Sequence, residues 1–197
     1  MEGTILIDQE TGKKYKLMEI KNNKIAFVIG HTPGADKGAY SETLQKTEFE
    51  LFKSFADGFL QELGDVFTHD ASISSYTQRQ SETAQRTKEY DYAFELHFNA
   101  AGINAVGCEG LYYHSNSKGK KIAERFCELV RAKMNIKSRG AKPLKDGDRG
   151  FGFVQKQKGT ALVLEPFFGS SPEDCQKFDA MKYKAVISDL CEYIKTL

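Results

Sequence analysis

The sequence predicts a single α/β domain of three layers, in which a mixed, mostly parallel central sheet is flanked by helices. Three observations lead to this prediction. Short apolar runs, such as residues 25–30 and 161–164, are typical of buried strands. These runs alternate along the chain with longer stretches whose apolar residues have helical spacing. The length of 197 residues suits one domain.

The first half of the chain is predicted to begin with a β-hairpin over residues 4–20. Its strands are expected at 4–7 and 15–20, on either side of a turn at 9–12. The elements that follow are a strand at 25–30, a helix at 44–63, a strand at 65–68, a polar helix at 76–89 and a strand at 92–98. We therefore expect residues 1–24 to be an N-terminal extension and residues 25–197 to be the main domain.

The second half continues the alternation. A strand is predicted at 110–114, a helix at 117–134 and a buried strand at 161–164. The charged segment between them contains Gly140, Pro143, Gly147 and Gly150, and is predicted to be a mobile loop. The last helix is expected to have Ser171 as its N-cap and Pro172 at its first position. Its apolar side is then formed by Phe178, Met181, Ile187, Leu190 and Ile194.

Composition excludes several classes of function. A net charge of +1 gives no reason to expect binding to nucleic acid or to an anionic membrane surface. No apolar stretch approaches the roughly 20 residues that a membrane-spanning helix needs. The N-terminus lacks a basic segment followed by a long apolar one, so we expect no secretory signal peptide. The four cysteines form no C-x-x-C pair and are expected to be free thiols.

Two of the four histidines lie where predicted strands end. His31 directly follows the strand at 25–30, and His97 stands near the end of the strand at 92–98. Residues at strand ends are where α/β folds place their chemistry. Because neutral histidine is the commonest metal ligand, the pair indicates a metal site. His69 is interpreted as a surface or hydrogen-bonded histidine.

Two glutamates complete the candidate site. In the helix at 44–63, Glu48 shares a stripe with Phe52 and Phe55, whereas Glu50 points about 200° away. A carboxylate on an apolar face is usually paired or bound to a metal, so a salt bridge and a metal ligand remain the two interpretations of Glu48. Glu165 follows four apolar residues. Partial burial there would raise its pKa and suit a general base, although a solvent-facing strand end is the alternative.

Four segments together resemble the zinc-dependent N-acetylmuramoyl-L-alanine amidases of bacterial autolysins and phage endolysins. Residues 30–39 are similar to that family's first histidine motif, residues 96–100 to its second, and residues 162–168 to the segment that ends in its catalytic glutamate. Glu48 matches its glutamate ligand, and residues 107–113 resemble its glycine-led strand. The resemblance covers roughly 25–197. Pro166 and Phe168 depart from the usual glycine-containing pattern.

The resemblance implies one Zn²⁺ per chain, held by His31, Glu48 and His97, with Glu165 as the catalytic acid–base. The substrate would be the muramyl-peptide amide bond of peptidoglycan. Asn99 is a candidate for contacting the substrate or orienting His97. The substrate contacts expected beside it are Arg79, which resembles an arginine of the family, and His114, which ends the strand at 110–114.

A lysin of phage type is the expected biological role. The protein would be made in the cytoplasm and would act on the cell wall after release or delivery by another route. A peptidase of the His-x-x-Glu type is a rival, but Gly34 stands three residues after His31. The other rival is a wall-binding component of a phage tail or injection machine that shares the fold but is non-catalytic or has a different specificity.

Overall fold

The computed structural model describes residues 5–7, 14–16, 23–34 and 36–197. In chain order the strands are β1 (Ile5–Ile7), β2 (Lys14–Lys16), β3 (Ile25–Ile29), β4 (Tyr40–Ser41), β5 (Lys46–Thr47), β6 (Asp65–Thr68), β7 (Tyr92–Leu96), β8 (Cys108–Tyr113), β9 (Ser138–Leu144) and β10 (Thr160–Glu165). The helices are α1 (Glu48–Lys53), α2 (Gln61–Leu63), α3 (Tyr76–Arg86), α4 (Ser117–Met134), α5 (Phe151–Gln155), α6 (Pro172–Lys177) and α7 (Ala180–Ile194).

A six-stranded sheet forms the centre of the fold, with the spatial order β6-β3-β7-β10-β8-β9. The first four strands run parallel to one another. Strand β8 pairs antiparallel with β10, and β9 runs parallel to β8. The predicted mixed, mostly parallel sheet is therefore confirmed.

Helices cover both faces of this sheet. On one face α1, α4 and α7 contribute fully buried side chains such as Phe52, Phe126 and Tyr183. On the other face α3 and α5 contribute Ala84 and Phe153 to a smaller apolar cluster. The three-layer α/β arrangement predicted from the sequence is confirmed. Among the described residues, no helix combines the length and the apolar character that crossing a bilayer would require.

The register of the parallel strands determines what lies at the edge of the sheet. Leu96 of β7 is paired with Ile29 of β3 on one side and with Leu164 of β10 on the other. The carboxyl ends of these three strands are therefore level with one another. Parallel strands bring the residues that follow them to one crevice. Here those residues are His31, His97 and Glu165.

The hairpin predicted at 4–20 is described only in part. Strands β1 and β2 pair antiparallel, with Leu6 opposite Tyr15. The predicted turn at 9–12 and residues 17–20 of the second strand lie outside the described residues. The division of the chain into residues 1–24 and 25–197 stays a prediction.

The helix predicted at 44–63 is wrong in its limits. Strands β4 and β5 form a small antiparallel hairpin before it, and α1 begins only at Glu48. The helical path then breaks at Asp57 and Gly58, where Gly58 has a φ of 85°. Glycine tolerates this left-handed conformation because it has no Cβ. Only the short helix α2 follows, at Gln61–Leu63.

Two further predictions need correction. The segment predicted as a mobile loop contains β9, which adds an edge strand to the sheet through pairing with β8. The last helix is divided into α6 and α7, because Phe178 and Asp179 have extended backbone and the Asp179 side chain caps α7 at the Lys182 amide. This break turns Met181 outward, where it is 71% exposed instead of buried.

Candidate active site

His31 is placed by an unusual backbone turn at the end of β3. Its φ is 65°, a left-handed conformation that non-glycine residues rarely adopt. The ring is buried, and its Nδ1 lies 2.9 Å from Oδ1 of Asp36. Asp36 is in turn paired with the Arg79 guanidinium. These contacts leave Nε2 of His31 facing Glu48, at 3.3 Å from its Oε2.

His97 follows β7 and faces the same glutamate from the other side. Its Nδ1 lies 3.0 Å from Oε2 of Glu48, and its Nε2 lies 3.6 Å from Oε2 of Glu95. The centroids of the His31 and His97 rings are 4.9 Å apart. Each histidine therefore presents one nitrogen to Glu48 and the other to an outer carboxylate.

Glu48 is positioned by the start of α1. Thr47 and Glu50 form a reciprocal capping box that fixes the first turn. Oε1 of Glu48 accepts a hydrogen bond from the Ala39 amide at 3.0 Å, which leaves Oε2 between the two imidazoles. Burial alone would raise the pKa of the Glu48 carboxyl, but the hydrogen bonds with both histidines hold it well below its usual range.

Two glycines make room for the imidazole rings. A Cβ on Gly30 would lie 2.4 Å from Cε1 of His97, and a Cβ on Gly38 would lie 2.6 Å from Cδ2 of His31. Real Cβ atoms do not approach other atoms so closely. The glycine pattern of residues 30–38 therefore has a steric reason, which is the close approach of the two rings.

The three side chains fit a metal ion. One atom each from His31, Glu48 and His97 can be chosen so that all lie within 4.8 Å of one another. All three residues are buried, and two histidines with one glutamate form a usual ligand set for a catalytic zinc. Although burial opposes a charge on His97, the hydrogen bond with Glu48 and the nearby carboxylate of Glu95 raise its pKa to about 10. The surroundings thus favour positive charge at this point.

Glu165 faces the cavity from the end of β10. One of its oxygens, Oε2, accepts a hydrogen bond from Nδ2 of Asn99 at 2.8 Å. Burial raises the pKa of the Glu165 carboxyl to about 7, against the opposing charge of His97. A carboxylate with this pKa suits a general base near neutral pH. The cavity has a volume of about 430 Å³ and is lined among others by His31, Glu48, His97, Asn99, Arg149 and Glu165.

The structure does not bring Arg79 into this cavity. Its guanidinium is buried and donates to the backbone oxygens of Ile73 and Ser74 at 3.0 and 2.9 Å, besides its pairing with Asp36. Arg79 therefore supports the residue that orients His31. The expectation that it contacts the substrate is not met by this geometry.

His114 lies at the opposite edge of the sheet, so its placement near the substrate was wrong. It follows the carboxyl end of β8, and β8 runs antiparallel to β10. Residue 109, at the start of β8, is the one that pairs with Glu165. The side chain of His114 is exposed and packs on Tyr113, with ring centroids 4.6 Å apart. The reversal of strand direction explains the error.

Three residues near the cavity were missed by sequence reasoning. Glu95 is completely buried beside His97. A charged residue inside an apolar run could have indicated a functional role for it. Asp36 supports His31 from a loop, where no pattern indicated it. Arg149 lines the cavity with its guanidinium 5.4 Å from the ring centroid of Tyr76, and glycines on either side were the only sign of it.

The fold and the site define a three-layer α/β domain with a buried histidine–carboxylate cluster suited to a metal. A family model described as N-acetylmuramoyl-L-alanine amidase matches residues 25–195. The chain therefore belongs to the N-acetylmuramoyl-L-alanine amidase family. Its members hydrolyse the amide bond between N-acetylmuramic acid and L-alanine in peptidoglycan, and this chain is an enzyme of that activity.

Solved structures agree with this assignment. The catalytic domain of the CD27L endolysin, which targets Clostridium difficile, is 27% identical with a TM-score of 0.70, over 87% of this chain and 97% of that one. The catalytic domain of CwlV, an amidase from Bacillus (Paenibacillus) polymyxa var. colistinus, is 18% identical with a TM-score of 0.65, over 88% and 97%. The second likeness shows the fold alone. No curated protein sequence matches the chain.

Proposed function

We propose that this amidase is zinc-dependent, with His31, Glu48 and His97 as metal ligands and Glu165 as the general base. The observation that carries the proposal is the buried His–Glu–His cluster, which shares one cavity with a carboxylate that is not part of it. Separate ligand and base groups are what hydrolysis at a single zinc needs.

Each residue has a defined task in this reaction. A Zn²⁺ ion held by His31, Glu48 and His97 would polarise the scissile carbonyl and lower the pKa of the attacking water toward about 7. Glu165 accepts the proton of that water and delivers it to the leaving nitrogen of L-alanine. The products are the carboxylate of the muramic acid lactyl group and a peptide with a free amino terminus.

Asn99 positions the base in this proposal. Its Nδ2 donates to Glu165, and its Oδ1 accepts from the Ala100 amide at 2.9 Å. Both ends of the side-chain amide are therefore engaged within the protein. This arrangement fixes one oxygen of Glu165 and leaves the other available to the proton in transit.

The biological role that we propose is that of a phage-type lysin, made in the cytoplasm and acting on the cell wall after release or delivery by another route. The likeness to an endolysin catalytic domain at 27% identity supports it. A wall-binding component of a phage tail or injection machine with the same fold is the alternative. It would bind purified walls without hydrolysing this amide.

Hydrolysis of purified peptidoglycan tests the proposal. Zinc-loaded protein should release new amino groups on L-alanine without new reducing sugar ends, and a chelator should stop the release. Glu48→Gln should lose zinc and activity, whereas Glu50→Gln, at an exposed position in the same turn, should keep both. Glu165→Gln should keep zinc and lose activity. Wall binding without amide cleavage, or full activity of the metal-free protein, would contradict the proposal.

A further inference from the structure

Glu95 is a buried carboxylate that the proposed ligand set and base do not include. It lies in β7 between Val28 of β3 and Val163 of β10, and it is completely inaccessible to solvent. Burying a charge is costly unless it is paired and hydrogen-bonded. Packing alone therefore does not explain why a carboxylate occupies this position.

One oxygen of Glu95 is held firmly by α3 and the residue after β6. Oε1 lies 2.7 Å from Nε2 of His69 and accepts a hydrogen bond from Nε2 of Gln80 at 2.7 Å. The other nitrogen of His69, Nδ1, lies 2.7 Å from the hydroxyl of Thr83. The tautomer of His69 that donates from Nε2 to Glu95 can accept the hydroxyl hydrogen of Thr83 at Nδ1, so both contacts are satisfied. The network fixes the carboxylate group in one orientation.

The second oxygen of Glu95 is aimed at His97. Oε2 is buried and has no hydrogen-bond partner among the described residues, and it lies 3.6 Å from Nε2 of His97. His97 must present the lone pair of Nδ1 to a metal held with Glu48, so its proton belongs on Nε2. That proton points toward the unpartnered oxygen. A shift of a few tenths of an ångström would complete a hydrogen bond.

We propose that Glu95, held by His69 and Gln80, is a positioning residue for His97. Its free oxygen accepts the Nε2 hydrogen of His97, which fixes the ring and directs Nδ1 to the metal. Carboxylates that orient ligating histidines in this way raise metal affinity. The inference rests on the metal site of the proposed function. Asp36 has the same relation to His31, at 2.9 Å.

Charge supports the same conclusion. No lysine or arginine in the described part of the chain forms an ion pair with Glu95, whose ionisable partners within 4.0 Å are His69 and His97. Asp36, by contrast, is paired with the Arg79 guanidinium. The negative charge of Glu95 is thus available to a cation between His31 and His97. Removing it should weaken the binding of a divalent metal.

The substitution Glu95→Gln tests the proposal because it keeps the volume and removes the charge. The zinc dissociation constant of the variant, measured by competition with a chromophoric chelator, should rise by about 10- to 100-fold. Glu109→Gln is the matched control. Glu109 is a buried strand glutamate on β8 that pairs with Arg139 instead of a histidine. Its loss should leave zinc affinity unchanged while still costing stability.

The measured zinc affinities either support or refute the positioning role of Glu95. Unchanged zinc affinity in Glu95→Gln, even with a lower melting temperature, would reduce Glu95 to a structural role and refute the inference. Wild-type protein that binds no zinc would instead refute the metal site itself. If Glu95→Gln does not fold, nitrogen NMR of the zinc-loaded wild type decides. Ligation of His97 through Nδ1, with a proton on Nε2, supports the inference, and ligation through Nε2 overturns it.

Discussion

Replacing Glu165 by glutamine should make the metal-free protein more stable at alkaline pH and no more stable in acid. The pKa of this carboxyl is about 7 in the folded protein, against an ordinary value of 4.5. Between these values the folded state binds more protons than the unfolded state. The contribution of Glu165 to the stability of the wild type must therefore fall as pH rises through this window, and the loss persists above pH 7.

The size of the effect follows from the two pKa values. A difference from 4.5 to about 7 corresponds to about 3 kcal/mol, at about 1.4 kcal/mol per pKa unit. The side chain keeps some solvent access, so we take this figure as the ceiling. Glutamine has no charge to bury, and its oxygen can still accept the hydrogen bond of Asn99. The gain should be below about 0.5 kcal/mol at pH 4.5 and should approach the ceiling at pH 8.

Urea unfolding of both proteins at these two pH values, with a chelator present, measures the difference directly. Titrating groups that do not interact with Glu165 are common to both proteins and cancel in the comparison. The burial argument for Glu165 would be refuted if the gain in stability were the same at pH 4.5 and pH 8. It would also be refuted if the wild type were more stable than the variant at pH 8. The same variant should also lack hydrolysis. The difference in unfolding free energy therefore measures how much the catalytic base Glu165 destabilises the folded protein.

Three further predictions concern the cavity and its metal. Gly30→Ala should abolish zinc binding, because the added Cβ meets the ring of His97. Gly34→Ala should keep zinc binding, since its Cβ has nothing within 4 Å among the described residues. Calorimetric zinc titration compares the two variants, and equal affinities would contradict the steric reasoning. Zinc at 100 times its dissociation constant should stabilise the protein by about 2.7 kcal/mol, and a melting temperature unaffected by chelator would argue against a specific site. Arg149 lines the cavity with its guanidinium 5.4 Å from the ring centroid of Tyr76. Arg149→Gln should raise KM for muramyl peptides severalfold and leave kcat nearly constant, and an unchanged KM would exclude a substrate contact.

The parts of the site that the sequence predicted are those that depend on strand ends. His31, His97 and Glu165 could be found because each follows an apolar run, and parallel strands bring their carboxyl ends together. Glu48 could be separated from Glu50 although the helix limits were wrong. The four-residue step from Glu48 to Phe52 lies within α1, so the face of the helix was correct where it mattered.

The parts that could not be predicted depend on pairings between distant segments. Nothing local in residues 108–113 shows that this strand runs antiparallel to β10, and that direction alone places His114 at the far edge. Similarly, the position of Arg79 in α3 is compatible with two roles, a side chain that lines the cavity and one that supports a residue of the site. Only the location of Asp36, 43 residues away along the chain, decides between them. A single sequence contains no record of such contacts.

The three glutamates of the site show how one fold gives identical side chains different tasks. Glu48 and Glu95 each contact two histidines, and although burial opposes ionisation, these contacts hold the pKa of both carboxyls well below the usual range. Among the described residues, the one side-chain hydrogen bond to the Glu165 carboxyl comes from the neutral amide of Asn99, so burial prevails and its pKa rises to about 7. Environments that move the pKa values of neighbouring groups apart assign their roles. Glu48 and Glu95 stay charged and favour a cation at the site, whereas Glu165 remains able to take up a proton and release it.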